Sequence, residues 1–374
     1  MPQPLAARLE ALFDAHEIDL RRGALFDLDL DPLPPDFDWS RVDGMLAGLA
    51  IGDALGFPTE GMAPAERRAV HGEVRDFLVL GEDRARAGGP SDETQTAFRA
   101  LEDIVHAGRF RPDRVAARWA EAPIFGISPT LRDFLKAYRA GNMPWARCGA
   151  KAPFADALAR VPALLVPHLR QGGTALWPDV ALGVMMSHDD SAAIAAGLAY
   201  AALLRDLLVA PAPPPPAWWA ARFVAAAADC EIDPHYRARV AASEPLAAFQ
   251  GTLCDFVGAV LPDALARDLS AAEACAAWGG GAYVLEAVPS ALYILARHAA
   301  APEEAMVRAV NDVPDADTVG ALVGAAVGAL HGLDALPERW RRALPGRIGA
   351  DDDGAVWRLI AAARARWGDA SAPP

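Results

Sequence analysis

A chain of 374 residues, 53% of them apolar and with a mean hydropathy of +0.13, has ample material for a large core, which argues against disorder except at its ends. The formal net charge of −14, with no long basic run, argues against nucleic-acid binding through an electrostatic footprint and leaves small ligands or protein partners. Cys148, Cys230, Cys254 and Cys275 include no C-x-x-C pair, so neither a zinc knuckle nor a disulfide framework is expected, and they read as reduced, mostly buried thiols.

Residues 1–23 carry an amphipathic helical pattern through Leu5, Leu9, Leu12 and Phe13. Glu10, Asp14, Glu17 and Asp19 interrupt the apolar stretch that a signal peptide needs. The proline-stiffened "LDLDPLPPDFDWSR" then leads into the body, so residues 1–38 are expected to form an N-terminal arm and 39–374 one all-α domain. Alanine dominates over β-branched residues, which favours helix because Ala loses no side-chain entropy there. Helices are predicted within 42–56, 92–108, 112–122, 128–141, 189–208, 216–230, 281–299, 302–312 and 317–332, many starting at Ser, Asp or Pro and several ending near Gly. The apolar runs Ser191 to Leu204 and Thr318 to Leu330 are shorter than the ~20 residues that span a bilayer, so a soluble cytoplasmic protein with no membrane partner is expected. "APAPPPPAWW", Ala210 to Trp219, reads as an extended surface connection.

Two acidic helix starts stand out, more than two hundred residues apart. Ser91-Asp92-Glu93 follows a Gly-Gly-Pro turn, and Asp315, Asp317 and Thr318 open a helix that continues through Gly320, Gly324 and Gly328. Each is good capping chemistry alone. The four-residue glycine spacing implies close helix packing and not a ligand. Facing each other, the two starts would make an all-oxygen cage suited to Mg²⁺ or Mn²⁺ and unsuited to zinc, whereas uncompensated carboxylates would repel. A third segment, "GMLAGLAIGDALGFPTEGM", supplies Asp53, equally readable as a buried hydrogen-bonding residue or a ligand, and Glu60, readable as a base, a ligand or a plain surface acid.

These three segments in this order, together with "LWPDVALGVMMSHDDSAAIAAGLAY" and "GGAYVLEAVPSALY", resemble the ADP-ribosylglycohydrolase family, which includes the dinitrogenase-reductase-activating glycohydrolases, from about Trp39 to Trp340. The resemblance implies a compact all-α, single-domain orthogonal bundle. It further implies Mg²⁺ or Mn²⁺, two ions or one, and hydrolysis of the bond between ADP-ribose, or a related ribosyl nucleotide, and a protein side chain or small molecule. Ser91, Asp92, Glu93, Asp315, Asp317 and Thr318 fall on the metal triplets. Glu60, Asp92 and Glu93 take the catalytic roles, and Gly126, Ser128, Ala155, Asp156 and His188 fall on the substrate wall.

Departures from the family pattern bear on function. Glu93 replaces an aspartate, which moves a carboxylate outward by roughly 1.5 Å unless the backbone adjusts. Ser128-Pro129 stands where many members carry a second glycine in a loop whose amides contact pyrophosphate. Family members read S-A-G-N-G-A-L-M-R where this chain has Ala152 to Arg160, so Phe154, Ala155 and Asp156 replace Gly-Asn-Gly. Asp156 is expected to repel a pyrophosphate, while Arg160 is retained and could pair with a neighbouring acid. Two functions follow: a divalent-metal-dependent hydrolase of an ADP-ribosylated protein or ADP-ribose-like small molecule, or a catalytically impaired relative that acts as a binding or regulatory protein.

Overall fold

The computed structural model describes residues 4–79, 87–232, 235–240 and 244–368. Among these residues helix dominates, and extended structure is confined to a two-residue antiparallel ladder, Tyr236–Arg237 against Gln250–Gly251, and a few isolated bridges. The nine predicted helical segments are all helical. Further helices, Leu176–Met185, Leu253–Ala266, Ala271–Trp278 and Ala355–Trp367 among them, lie where no helix was expected. Two of these carry a proline, Pro178 and Pro262. Pro178 sits in the first turn, where its missing N–H is an orphan anyway, whereas Pro262 is accommodated mid-helix by tertiary packing.

At the centre, the helices Ser40–Gly56 and Ala316–His331 lie antiparallel with their backbones in contact. Glycines make this possible. A Cβ on Gly48 would sit 2.0 Å from the Gly324 carbonyl oxygen, and one on Gly52 would sit 1.9 Å from that of Gly320. Gly44 opposes Gly328 and Gly56 opposes Ala316, so the register holds over about three turns. Around this pair pack Pro302–Asn311, Val284–His298, Ser191–Val209 and Asp92–Ala107. The Ser191 helix continues past its apolar run to Val209, and its 19 residues are long and apolar enough to cross a membrane by length and composition. Its most apolar window is 83% buried inside the fold, as a core helix would be.

The N-terminal segment is docked. Leu9 and Leu12 join the same continuous core as the central helices. The Arg21 amide donates to the Cys230 carbonyl (2.8 Å), and Asp19 N–H donates to Asp189 (3.1 Å). Leu30 and Gly173 exchange backbone hydrogen bonds, at 3.2 and 2.9 Å. All four cysteines are free and buried. Residues 210–215 form the exposed or half-buried connection expected of their prolines.

Candidate metal and active site

The glycine pair determines where the site forms. Asp53, one residue beyond Gly52, is wholly buried, and its carboxylate accepts the Ser91 amide (3.1 Å) and the Thr94 amide (3.1 Å). It therefore caps the Asp92–Ala107 helix from outside that helix and pins the helix start to the central pair. Ser91 is the N-cap, accepting from the Glu93 amide. The Glu93 side chain hydrogen-bonds the Ser91 hydroxyl and accepts the Thr318 hydroxyl at 2.8 Å, so the two distant acidic helix starts are in direct contact. The longer reach of Glu93 is what closes this gap.

On the other side, Asp317 accepts the Thr318 amide (2.9 Å), and Asp315 is held by its own amide to the Gly280 carbonyl (3.2 Å). Asp315 Oδ2 is buried and has no hydrogen-bond partner. Glu60 lies exposed on the turn after Pro58, and the following residue, Gly61 at φ +77°, donates to the Pro314 carbonyl at 2.9 Å. A buried arginine fixes this juxtaposition. Arg67 donates through Nε to Thr59 Oγ1 (2.8 Å), through Nη2 to the carbonyls of Thr59 and Met62 (3.0 and 3.2 Å), and through Nη1 to those of Asn311 and Val313 (3.2 and 2.9 Å). Its fork joins the Glu60 loop to the segment that enters Asp315.

Two carboxylate clusters result. Oxygens of Asp53, Glu93 and Asp317 lie within 4.8 Å of one another, and so do oxygens of Glu60, Asp315 and Asp317. Asp317 belongs to both. Asp92 belongs to neither, since the Ser128 amide at 2.9 Å holds its carboxylate.

Burial raises every one of these acids that shifts, and Glu93 is the next cause each time. Asp53 is raised to about 7 against the opposing hydrogen bonds from Ser91 and Thr94. Asp92, Asp315 and Asp317 are pushed well above the carboxylate range, and Glu60 is raised as well. Asp156 behaves oppositely. Burial alone would raise it, yet the charge and hydrogen bond of His188, helped by Arg160 and Ser128, hold it down to about 2.

The expected substrate wall comes together in an unexpected way. Asp156 is not an uncompensated charge, because His188 Nε2 lies 2.8 Å from Oδ1 and the Ser128 hydroxyl 2.9 Å from Oδ2. His188 is fully enclosed and supports Asp156 from behind; it presents no edge to a ligand. Ala155 is also enclosed, its amide donating to the Ala282 carbonyl (3.0 Å). Gly126, at φ +63°, is exposed beside Phe57 and Ser91. Arg160 donates to the Gly183 carbonyl and the Ser187 hydroxyl and not to a neighbouring acid.

Sequence reasoning left Asp53 out of the ligand set and missed Arg67 altogether. The signal for Asp53 was the glycine spacing of 44, 48, 52 and 56, which matches that of 320, 324 and 328 and so places Asp53 beside Asp317. Nothing local marks Arg67 as a bridge, since the carbonyls that tie it across the site, of Asn311 and Val313, lie far away in sequence.

An all-oxygen donor set, a carboxylate shared between two clusters and a buried partnerless Asp315 oxygen fit hard divalent cations. Comparison with known proteins agrees with this architecture. The family described as ADP-ribosylglycohydrolase matches residues 34–369. An uncharacterized protein of Archaeoglobus fulgidus is 29% identical over 309 residues, covering 81% of this chain and 90% of that protein. A solved structure described as an ADP-ribosylglycohydrolase-related protein complex superimposes with a TM-score of 0.58 at 24% identity, covering 88% of this chain and 98% of that one, and so shares the fold.

Proposed function

Because the chain belongs to the ADP-ribosylglycohydrolase family, a family of hydrolases, we propose that it cleaves a glycosidic bond at the anomeric carbon of a ribosyl conjugate, using a pair of divalent cations. The observation that carries this reading is the pair of carboxylate clusters sharing Asp317. Asp53, Glu93 and Asp317 would hold one Mg²⁺ or Mn²⁺ ion and Glu60, Asp315 and Asp317 the other, with Ser91 and Thr318 hydroxyls adjacent. When bound, such ions supply positive charge for sugar hydroxyls and lower the pKa of water.

The protein's own groups do the rest. Among these ligand carboxylates only Glu60 is exposed, so a water and a substrate can both reach it. Glu60 takes a proton from water as the water oxygen bonds to the anomeric carbon. The bond from that carbon to the leaving nitrogen or oxygen breaks, its electron pair goes to the leaving atom, and the proton follows. The positive charge that develops on the sugar ring is stabilised by the surrounding carboxylates. Asp92, anchored by the Ser128 amide, is positioned to accept a hydroxyl hydrogen bond. The alternative of a silent binding protein has no support in the family comparison.

The test is a thermal melt with and without Mg²⁺ or Mn²⁺, alongside release of free sugar from ADP-ribosyl and phosphate-free ribosyl arginine. A cation that binds only the folded state raises Tm according to RT ln(1 + [L]/Kd), about 2.7 kcal/mol at one hundred times Kd. Asp315→Ala with Asp317→Ala should abolish both the rise and the sugar release. Equal cation responses in the wild type and the double variant would place the ions elsewhere.

A further inference from the structure

The hydrogen bonds of the wall beside the carboxylate clusters run towards its acids and leave acceptor capacity at Asp156. Arg160 can only donate, and it gives Nη2 to the Ser187 hydroxyl (2.7 Å) and Nη1 to the Gly183 carbonyl (3.2 Å). The Ser187 hydroxyl also hydrogen-bonds His188 Nδ1 (2.8 Å). On its other side His188 Nε2 donates to Asp156 Oδ1. The Ser128 hydroxyl donates to Asp156 Oδ2 and the Ser128 amide to Asp92. The donors nearest Asp156, on His188 and Ser128, are thus spent on protein acceptors, while Arg160 Nε is buried without a partner. Ser187 and His188 are fully enclosed, Arg160 is 2% exposed beneath them, and its guanidinium lies over the Trp119 ring.

What this wall retains is spare acceptor capacity. An ionised carboxylate offers about four lone-pair positions, and the structure fills two on Asp156. Asp156 is 9% exposed, and Ser128 joins it to Asp92, its hydroxyl on Asp156 and its amide on Asp92, which sets it beside the start of the acidic helix. Its backbone cannot easily retreat. The Ala155 amide is tied to Ala282, the Pro153 carbonyl accepts from Val284, and Phe154 bridges Tyr283.

We propose that the substrate group seated against Asp156 is a hydrogen-bond donor, a cation or an array of sugar hydroxyls, and that the chain selects phosphate-free ribosyl conjugates over those carrying a pyrophosphate at this wall. An anion seated against Asp156 would face its carboxylate charge and that of Asp92, with the Ser128 and His188 donors already engaged. A guanidinium or hydroxyl group would complete the valences of Asp156. The inference rests on the glycosidic-hydrolase reading for its reaction, but its specificity is a property of binding and is tested as such.

Calorimetry in Mg²⁺ buffer with three probes decides it: ADP-ribose, methyl ribofuranoside as the neutral hydroxyl ligand, and ribosyl arginine as the cationic one. Ribosyl arginine or methyl ribofuranoside should bind at least tenfold tighter than ADP-ribose, and which of the two leads identifies the donor. The isosteric Asp156→Asn should strengthen ADP-ribose binding at least tenfold and weaken ribosyl arginine by a similar factor. ADP-ribose binding as tightly as the phosphate-free probes, or no measurable binding of either phosphate-free probe, overturns the proposal from the wild type alone, even if the variant fails to fold. Sugar release is scored separately: a phosphate-free binding preference with no turnover of any conjugate sinks the hydrolase reading and leaves this one standing.

Discussion

Substituting Gly52 by alanine tests whether backbone contact between the two central helices builds the site. In an isolated helix the change is favourable by about 1 kcal/mol, because glycine is the poorer helix former. Here the new Cβ would lie 1.9 Å from the Gly320 oxygen and 2.4 Å from its carbonyl carbon, and no flexible side chain stands between them to give way. Restoring an ordinary contact near 3.4 Å requires the helices to part by about 1.5 Å. Overpacking of this kind costs about 1–3 kcal/mol and more where only backbone can move, so a loss of about 3 kcal/mol is expected, lowering Tm by roughly 4 °C. The consequence for cation binding is larger. Asp53 is the next residue and Asp317 lies one turn before Gly320, so the same movement opens a cluster whose oxygens now lie within 4.8 Å. Ions with bonds near 2.1 Å and strict geometry do not tolerate that. Gly52→Ala should therefore lose most of the Mg²⁺-induced rise in Tm, whereas Gly141→Ala, strained only by its φ of +72° with open space around it, should lose stability but keep the rise. A Gly52→Ala protein that melts like the wild type and responds fully to Mg²⁺ would refute the reasoning.

Arg67→Met leaves the carbonyls of Thr59, Met62, Asn311 and Val313 short of a donor in a buried setting, at about 1–3 kcal/mol per unsatisfied group, and should weaken Mn²⁺ binding, followed by spin resonance, together with Tm. Arg67→Lys should fall between, since an ammonium keeps the charge but not the planar fork; Mn²⁺ affinity unchanged in both variants would remove the arginine from any role in the site. In chelator, stability should fall between pH 5 and pH 8. The pKa values of Asp53, Asp92, Asp315 and Asp317 are raised by folding, so their contribution is complete below the unfolded values near 4 and is lost as pH rises through the folded ones, Asp53 at about 7. Asp156, held at about 2, titrates below this window. Saturating Mg²⁺ should flatten the profile, and a denaturation midpoint that is level or rising in chelator would contradict the sign.

Much of the helical layout could be read from alanine content and caps because those signals are local. The contact between the Glu93 and Thr318 starts was legible as a hypothesis because both present oxygen side chains, and the family resemblance supplied their proximity. Asp53 stayed ambiguous for a physical reason: it does both things, capping a helix with the same carboxylate that joins Glu93 and Asp317. The fate of Asp156 was not legible. Its neutralising partner lies 32 residues away, brought near by the parallel bridge between Ala150 and His188, and no periodicity encodes that bridge. The same limit hid Arg67, whose value lies in carbonyls more than 240 residues distant.

The glycine seam also bears on which parts of the chain are free to change. Gly44, Gly48, Gly52, Gly320, Gly324 and Gly328 admit no larger residue without driving backbone into backbone, so nearly every substitution along the seam is penalised before any effect on chemistry arises. Beside the site, exposed or half-buried positions such as Phe125, Pro153 and Phe154 escape this constraint, whereas Ala155, Ala157, Leu158 and Ala159 of the same segment belong to the core. A molecule built this way can explore new ligands at its rim without risking its ion-binding centre, and selection for altered substrates in the laboratory should be directed at that rim.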